Sequence, residues 1–302
     1  MISLGLMPWH QNWVMKLLFE MQEFTRINID STINSGQVFL WDKIDGIWYG
    51  VNGTEVLRVE QNPFDITSSQ KKASDFFRQD DNIKKILNEI SKDSLVRSAV
   101  KHFSGLRLLR QDPFQCYISF ICSSNSSIQN IKQMLKRLCQ KFGEKTDFDG
   151  REFFTFPDVD KLAKSNLKDL LSCGLGFRAK YVKKAAMTVN SGALEFNFLK
   201  KTDYNLAKQE LKEIYGIGNK VADCVLLFAL EKLEAFPIDR WTQRILQKYY
   251  AKKFSGMIEK SLTEKNYDII HEKIIEYFGP YAGYSQQFLF KMERDLNKKK
   301  WL

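Results

Sequence analysis

The chain has 302 residues, 44% of them hydrophobic, enough for one large or two medium domains with cores of their own. Its net charge of +10 points to an anionic partner. Five scattered cysteines without a CxxC pair and three distant histidines argue against a disulfide scaffold and a zinc site, and no apolar run approaches the ~20 residues of a membrane span.

Residues 1–27 read as an N-terminal extension. "MISLGLMPWHQNWVMKLLFEM" is not a convincing signal peptide, because Pro8, His10, Gln11 and Asn12 interrupt it; Met15 and Met21 leave room for a later start. Residues 28–104 open as an antiparallel meander. In "QVFLWDKIDGIWYGVNGTEVLRVE" (37–60), runs rich in Val, Ile, Trp and Tyr flank Asp45-Gly46 and Asn52-Gly53, dipeptides of hairpin turns. From about Ser69 the pattern turns helical. Ile128, Ile131, Leu135, Leu138 and Phe142 recur at helical spacing after "SSNSS", a run of good N-caps. Between Val96 and Phe142 eight Lys or Arg stand against one acid, Asp112, and Arg178, Lys180, Lys183 and Lys184 form a second basic run. Each run reads equally as a DNA face or as solvated helix surface.

"LKEIYGIGNKVADCVLLFAL" (211–230) is two apolar helical stretches joined by a Gly-x-Gly turn. Gly216 and Gly218 allow positive φ and close backbone approach, and the free N–H groups of the second helix make a natural phosphate site. Lys220 stands at that positive helix end, where a cation is poorly placed. Asp239 follows 19 residues later in "FPIDRWTQRILQKYY" as the N-cap of another helix, far enough along to return beside the lysine. The bland readings are a solvated lysine and a plain cap. The fold class is α+β: a β-rich N-terminal domain, then a mainly helical domain over residues 105–302.

"LKEIYGIGNKVADC…FPIDRW" resembles the helix-hairpin-helix–Gly/Pro/Asp DNA glycosylases, and within them the 8-oxoguanine DNA glycosylase/AP lyases of the eukaryotic and archaeal type. "NSGQVFLW" (34–41), "GLRLLRQDPFQCYISFICSSN" (105–125), "CGLGFRAKYV" (173–182) and "FGPYAGYSQQFLF" (278–290) resemble segments of that family in the same order, so the likeness covers roughly residues 28–292. It implies a base-excision repair enzyme that flips 8-oxoguanine from DNA, cleaves its glycosidic bond through a lysine Schiff base and nicks the strand by β-elimination. Lys220 would be the nucleophile, with the helix end and desolvation favouring its neutral amine, and Asp239 the catalytic carboxylate. Phe290 and Cys224 would sandwich the flipped base, Gln286 read its Watson–Crick edge, and the Gly36 carbonyl accept the N7–H that guanine lacks. Asn125 would fill the vacated space, Phe177 wedge the stack and Arg178 read the orphaned cytosine. The backbone carbonyls of Lys212, Ile214 and Ile217 would hold a monovalent or divalent cation against phosphate; no cofactor is otherwise implied.

The chain departs from the pattern at four places. Tyr215 replaces a common proline, Asn125-Ser126-Ser127 a triple asparagine, Asn130 a second cytosine-reading arginine, and Trp241 a histidine. Two rivals remain: a glycosylase of the superfamily for another damaged base, and a non-catalytic helix-hairpin-helix DNA-binding module. Endonuclease III-like members often carry an iron–sulfur cluster on four C-terminal cysteines, whereas no cysteine follows Cys224 here. The expected partner is double-stranded DNA with 8-oxoguanine opposite cytosine, bound by a monomer inside the cell and away from membranes.

Overall fold

The computed structural model describes residues 26–71, 73–254 and 262–298. The expected extension, with Met15 and Met21, lies outside the described residues apart from 26 and 27. Helix α1 (Ile29–Ile33), capped by the Asn28 side chain, leads into the loop of Ser35 and Gly36. Strands β1 (Trp41–Ile44), β2 (Ile47–Asn52), β3 (Glu55–Glu60) and β4 (Asp65–Ser68) form an antiparallel sheet in that order. Asp45 and Gly46 turn the first hairpin with φ of 50° and 86°, the positive pair a type I′ turn needs.

The second turn lies one residue later than the Asn52-Gly53 pair implied. Asn52 stays in β2 opposite Glu55, and Gly53, at φ 62°, and Thr54 make the turn. Asn52 is held in register because its Oδ1 accepts the Asp112 N–H at 2.7 Å and its Nδ2 donates to Glu55 at 3.2 Å. Strand β4 extends the meander beyond residue 60; its four residues carry little apolar alternation.

Helices α2 (Ile83–Ile90), α3 (Ser94–His102), α4 (Pro113–Cys122) and α5 (Ile128–Phe142) follow. Ser127 caps α5 by accepting the Asn130 N–H at 3.2 Å, as the "SSNSS" run predicts. A second hairpin then interrupts the helical half: β5 (Lys145–Phe148) and β6 (Arg151–Phe154), turned by Asp149-Gly150 at φ 52° and 68°. It packs back on the first sheet, with Phe153 stacked on Tyr49 at 5.6 Å and Asp149 paired with Arg58 at 3.0 Å. The chain continues through α6 (Val159–Lys164), α7 (Leu167–Ser172), α8 (Arg178–Asn190), α9 (Phe196–Lys201), α10 (Tyr204–Lys212), α11 (Asn219–Ala229), α12 (Arg240–Tyr249), α13 (Glu264–Phe278) and α14 (Ala282–Lys298).

One apolar cluster seals the sheet around Trp41, Trp48, Leu57, Phe76 and Phe77. A larger one joins α2 and α3 to the helical half, with α4 and α11 at its centre. Phe120 of α4 stacks on Phe228 of α11 at 5.4 Å. The first basic run is largely committed within the protein. Arg110 pairs with Asp75, Asp80 and Glu231, Lys136 with Asp42 and Lys141 with Asp169, while Lys132 donates to the Trp41 carbonyl and Arg107 is buried.

Candidate active site

Gly216, at φ 92°, makes the turn between α10 and α11; an added Cβ would sit 2.3 Å from the Tyr181 ring. Gly218 caps α11 at an ordinary φ of −97°, so only Gly216 needs the positive conformation. All of α11 is buried except Lys220 at its second position. The Lys220 Nζ donates to Ser123 Oγ at 2.9 Å, just past the end of α4, and lies 5.1 Å from the Phe120 ring centroid. Ser123 was not singled out in the sequence; only its place in "SSNSS" marks it.

Asp239 is the N-cap of α12. Its Oδ1 accepts both the Trp241 N–H at 2.9 Å and the Thr242 N–H at 2.8 Å, so the cap leaves Oδ2 uncommitted. Cys224 lies one turn along α11 from Lys220. Burial pushes its thiol up to about 12, reinforced by Asp239 and Asp223 and opposed by Lys220. It is therefore a neutral wall near neutral pH and not a thiolate partner for the lysine.

Gly36 adopts φ 88° and abuts α14 closely: an added Cβ would meet Arg294 Nη1 at 2.6 Å and Phe290 Cε1 at 2.9 Å. Gln287 fixes this approach by donating to the Ser35 carbonyl at 2.9 Å. Gln286, on the same helix, donates to Thr242 Oγ1 at 3.1 Å, while its Oε1 is buried without a partner. A buried acceptor left open in this way suits a ligand donor. Gly36, Gln286 and Phe290 thus meet along α14, although roughly 250 residues of chain separate the first from the others.

Asn125 sits exposed at φ 51° in the loop after α4. Phe177 projects beside α8 with 55% of its surface exposed. Arg178 is placed otherwise than a free DNA-reading arginine: it is buried, and it donates to the carbonyls of Ser124, Asn125 and Leu175. Four of its five N–H groups are used in these bonds, which clamp the Asn125 loop. Arg240, next to Asp239, reaches Asn125 Oδ1 at 3.4 Å, a contact the sequence did not reveal. Tyr215 is 70% exposed and leans on Tyr181 at 5.4 Å, so its replacement of proline leaves the Gly-x-Gly turn intact.

Of the hairpin carbonyls, that of Lys212 is among the last of α10, which lack intrahelical donors. That of Ile214 accepts the Ile217 N–H at 3.0 Å and keeps a second lone pair. Oxygen donors of this kind fit a hard cation.

Beneath the site, Asp223 of α11 is fully buried and accepts from Tyr204 at 2.5 Å and Tyr267 at 2.6 Å. Tyr267 in turn accepts the Ile238 N–H at 2.9 Å, and His271 Nε2 accepts the Phe236 N–H at 3.1 Å. The helix of Lys220 is thereby tied to the backbone just before Asp239. Burial holds His271 below its ordinary value of 6.5; Asp223 and Asp268 oppose this and Lys208 adds to it. Unfolded His271 takes up a proton below about pH 6.5 while the folded form does so only at lower pH, so stability falls as pH drops through that value. The unfolding free energy from urea melts between about pH 7.5 and 5.5 should decline at up to about 1.4 kcal/mol per pH unit for this one group. His271→Gln should flatten the decline, and an unchanged slope would refute the assignment.

The helical half belongs to a base-excision class of proteins. Residues 118–266 match the HhH-GPD superfamily of base excision DNA repair proteins, and residues 18–117 the N-terminal domain of 8-oxoguanine DNA glycosylase. The chain is 31% identical over 292 residues to the N-glycosylase/DNA lyase OGG1 of Arabidopsis thaliana, covering 91% of this chain and 79% of the plant protein. It is 30% identical over 243 residues to the N-glycosylase/DNA lyase of Saccharomyces cerevisiae, covering 72% of this chain and 65% of the yeast protein. Its fold is similar to that of a Clostridium acetobutylicum 8-oxoguanine glycosylase/lyase in complex with double-stranded DNA containing cytosine opposite 8-oxoguanine. The TM-score is 0.79 at 31% identity, over 90% of this chain and 93% of that one. The chain belongs to the 8-oxoguanine DNA glycosylase/lyase family.

Proposed function

We propose that the protein is a bifunctional N-glycosylase/AP lyase that removes 8-oxoguanine from double-stranded DNA, acting as a monomer within the cell. The observation carrying this reading is the placement of Lys220, whose amine is the one unburied side chain of α11 and lies at the helix start beside Ser123. The flipped base lies between Cys224 and Phe290, with its N7–H on the Gly36 carbonyl and its Watson–Crick edge at Gln286. The Lys220 amine attacks C1′, and the bond to the base breaks with its electron pair leaving on the base. The Asp239 carboxylate stabilises the positive charge that develops on the sugar. Ring opening and loss of a proton from nitrogen give the Schiff base; removal of a C2′ proton then expels the 3′ phosphate. The Gly216–Gly218 turn presents backbone N–H groups to phosphate, and the carbonyls of Lys212, Ile214 and Ile217 would hold a cation that would neutralise phosphate charge there.

Asn125 fills the vacated space and Phe177 wedges the stack. Arg178 has one N–H left for the cytosine, and Asn130 offers no guanidinium. Excision should therefore be best opposite cytosine and only about ten- to hundredfold slower opposite the other bases. Asn130→Arg should sharpen the preference. The test is kcat/KM on 8-oxoguanine paired with each of the four bases, with and without alkali. Rejection of the other partners by several thousandfold in the wild type would overturn the selectivity argument. Borohydride trapping of a covalent adduct separates the enzyme from a mere DNA-binding module.

A further inference from the structure

Arg294 lies one helical turn beyond Phe290 on α14. Its Nη1 is fully buried and has no hydrogen-bond partner. The guanidinium lies 5.4 Å from the Phe290 ring centroid, and its Nη1 comes within 2.6 Å of where a Cβ on Gly36 would stand. No carboxylate among the described residues pairs with it. Arg294 as a whole is half-buried, but a charged N–H buried without an acceptor is costly, and a ligand that supplies the acceptor accounts for it. Burial lowers its pKa, while the charges of Asp295 and Asp239 work the other way, so the group also senses the proposed catalytic carboxylate.

We infer that Arg294 is a lesion-reading residue: its Nη1 donates a hydrogen bond to the oxygen on C8 of the flipped purine. This rests on the base pocket proposed above. With the N7–H on the Gly36 carbonyl, the C8 oxygen is the neighbouring acceptor on the edge away from Gln286. Guanine carries neither that oxygen nor the N7–H, so Arg294 and Gly36 read adjacent atoms of one lesion with opposite hydrogen-bond polarity. The two contacts together also discriminate more strongly than the Gly36 carbonyl alone. Nothing in the sequence marked Arg294, which sits in the charged run "KMERDLNKKK".

The test uses Arg294→Met, which keeps the apolar stem but loses the donor, and Arg294→Lys, which keeps a cation. Binding is measured to three duplexes: one with a non-cleavable 8-oxoguanine opposite cytosine, one with guanine there, and one with an abasic site. Arg294→Met should weaken binding to the 8-oxoguanine duplex roughly ten- to hundredfold, and excision likewise. Affinity for the guanine and abasic duplexes should change less than threefold, and Tm should not fall, since a buried N–H without an acceptor has been removed. Arg294→Lys should lie between wild type and Arg294→Met on the 8-oxoguanine duplex. Equal losses on all three duplexes, a lowered Tm with unchanged lesion preference, or no loss at all would overturn the assignment. A wild-type protein that does not prefer 8-oxoguanine over guanine would instead sink the pocket reading itself.

Discussion

Lys220→Gln is expected to release no base and nick no strand while still binding 8-oxoguanine duplex. The wild-type amine donates to Ser123 Oγ at 2.9 Å from the only unburied position of α11. A glutamine amide can preserve that hydrogen bond and approximate the side-chain length, so the local packing should survive. It has no nucleophilic lone pair on nitrogen, so neither attack at C1′ nor Schiff-base formation can follow. Losing the nucleophile of a covalent mechanism should lower kcat by at least about 10⁴-fold. Losing one amine among the many contacts to DNA should weaken binding only severalfold at moderate salt. Three assays check this: strand scission without alkali, scission after alkali, and borohydride trapping, with Kd on the same duplex. Wild-type nicking by the variant would show that another group attacks the sugar.

The parts of this site that were legible in the sequence are those whose chemistry is local. Gly216 and Gly218, Lys220 and the Asp239 cap lie on one hairpin and the helix after it, and their spacing alone implied that they could meet. The meander was legible for the same reason, since Asp45-Gly46 carries its turn in two adjacent residues. What escaped depends on partners far away in the chain. Asn52 looked like a turn residue until its bond to the Asp112 backbone held it in β2. The basic run read equally as a DNA face or as solvated helix surface, and the acids that neutralise Arg110 lie at Asp75, Asp80 and Glu231. Arg178 was visible as a charge, whereas its burial against the Ser124 and Asn125 carbonyls was not. The hairpin over residues 145–154 was legible in principle, because Asp149-Gly150 repeats the signal of Asp45-Gly46; the helical pattern around it hid a signal only two residues long.

Asp239→Asn separates two roles that one residue holds together. As a cap, Asp239 uses Oδ1 alone, toward the Trp241 and Thr242 N–H groups at 2.9 and 2.8 Å. Asparagine has the same oxygen in the same place and is itself a good N-cap, so helix α12 and the fold should lose a few tenths of a kcal/mol at most. Ile238 and Phe236 remain anchored through Tyr267 and His271, which keeps the residue at position 239 where it is. The negative charge is lost, however, and with it the stabilisation of the positive sugar in the transition state and any proton transfer through the carboxylate. Base excision should slow by about 10²–10⁴-fold, with DNA affinity and Tm close to wild type. Single-turnover excision, thermal unfolding and DNA titration on the same preparation decide between the roles. Full turnover would leave Asp239 as a helix cap and nothing more. A large fall in Tm together with the lost rate would mean that the carboxylate charge holds the loop and acts on the sugar only through it.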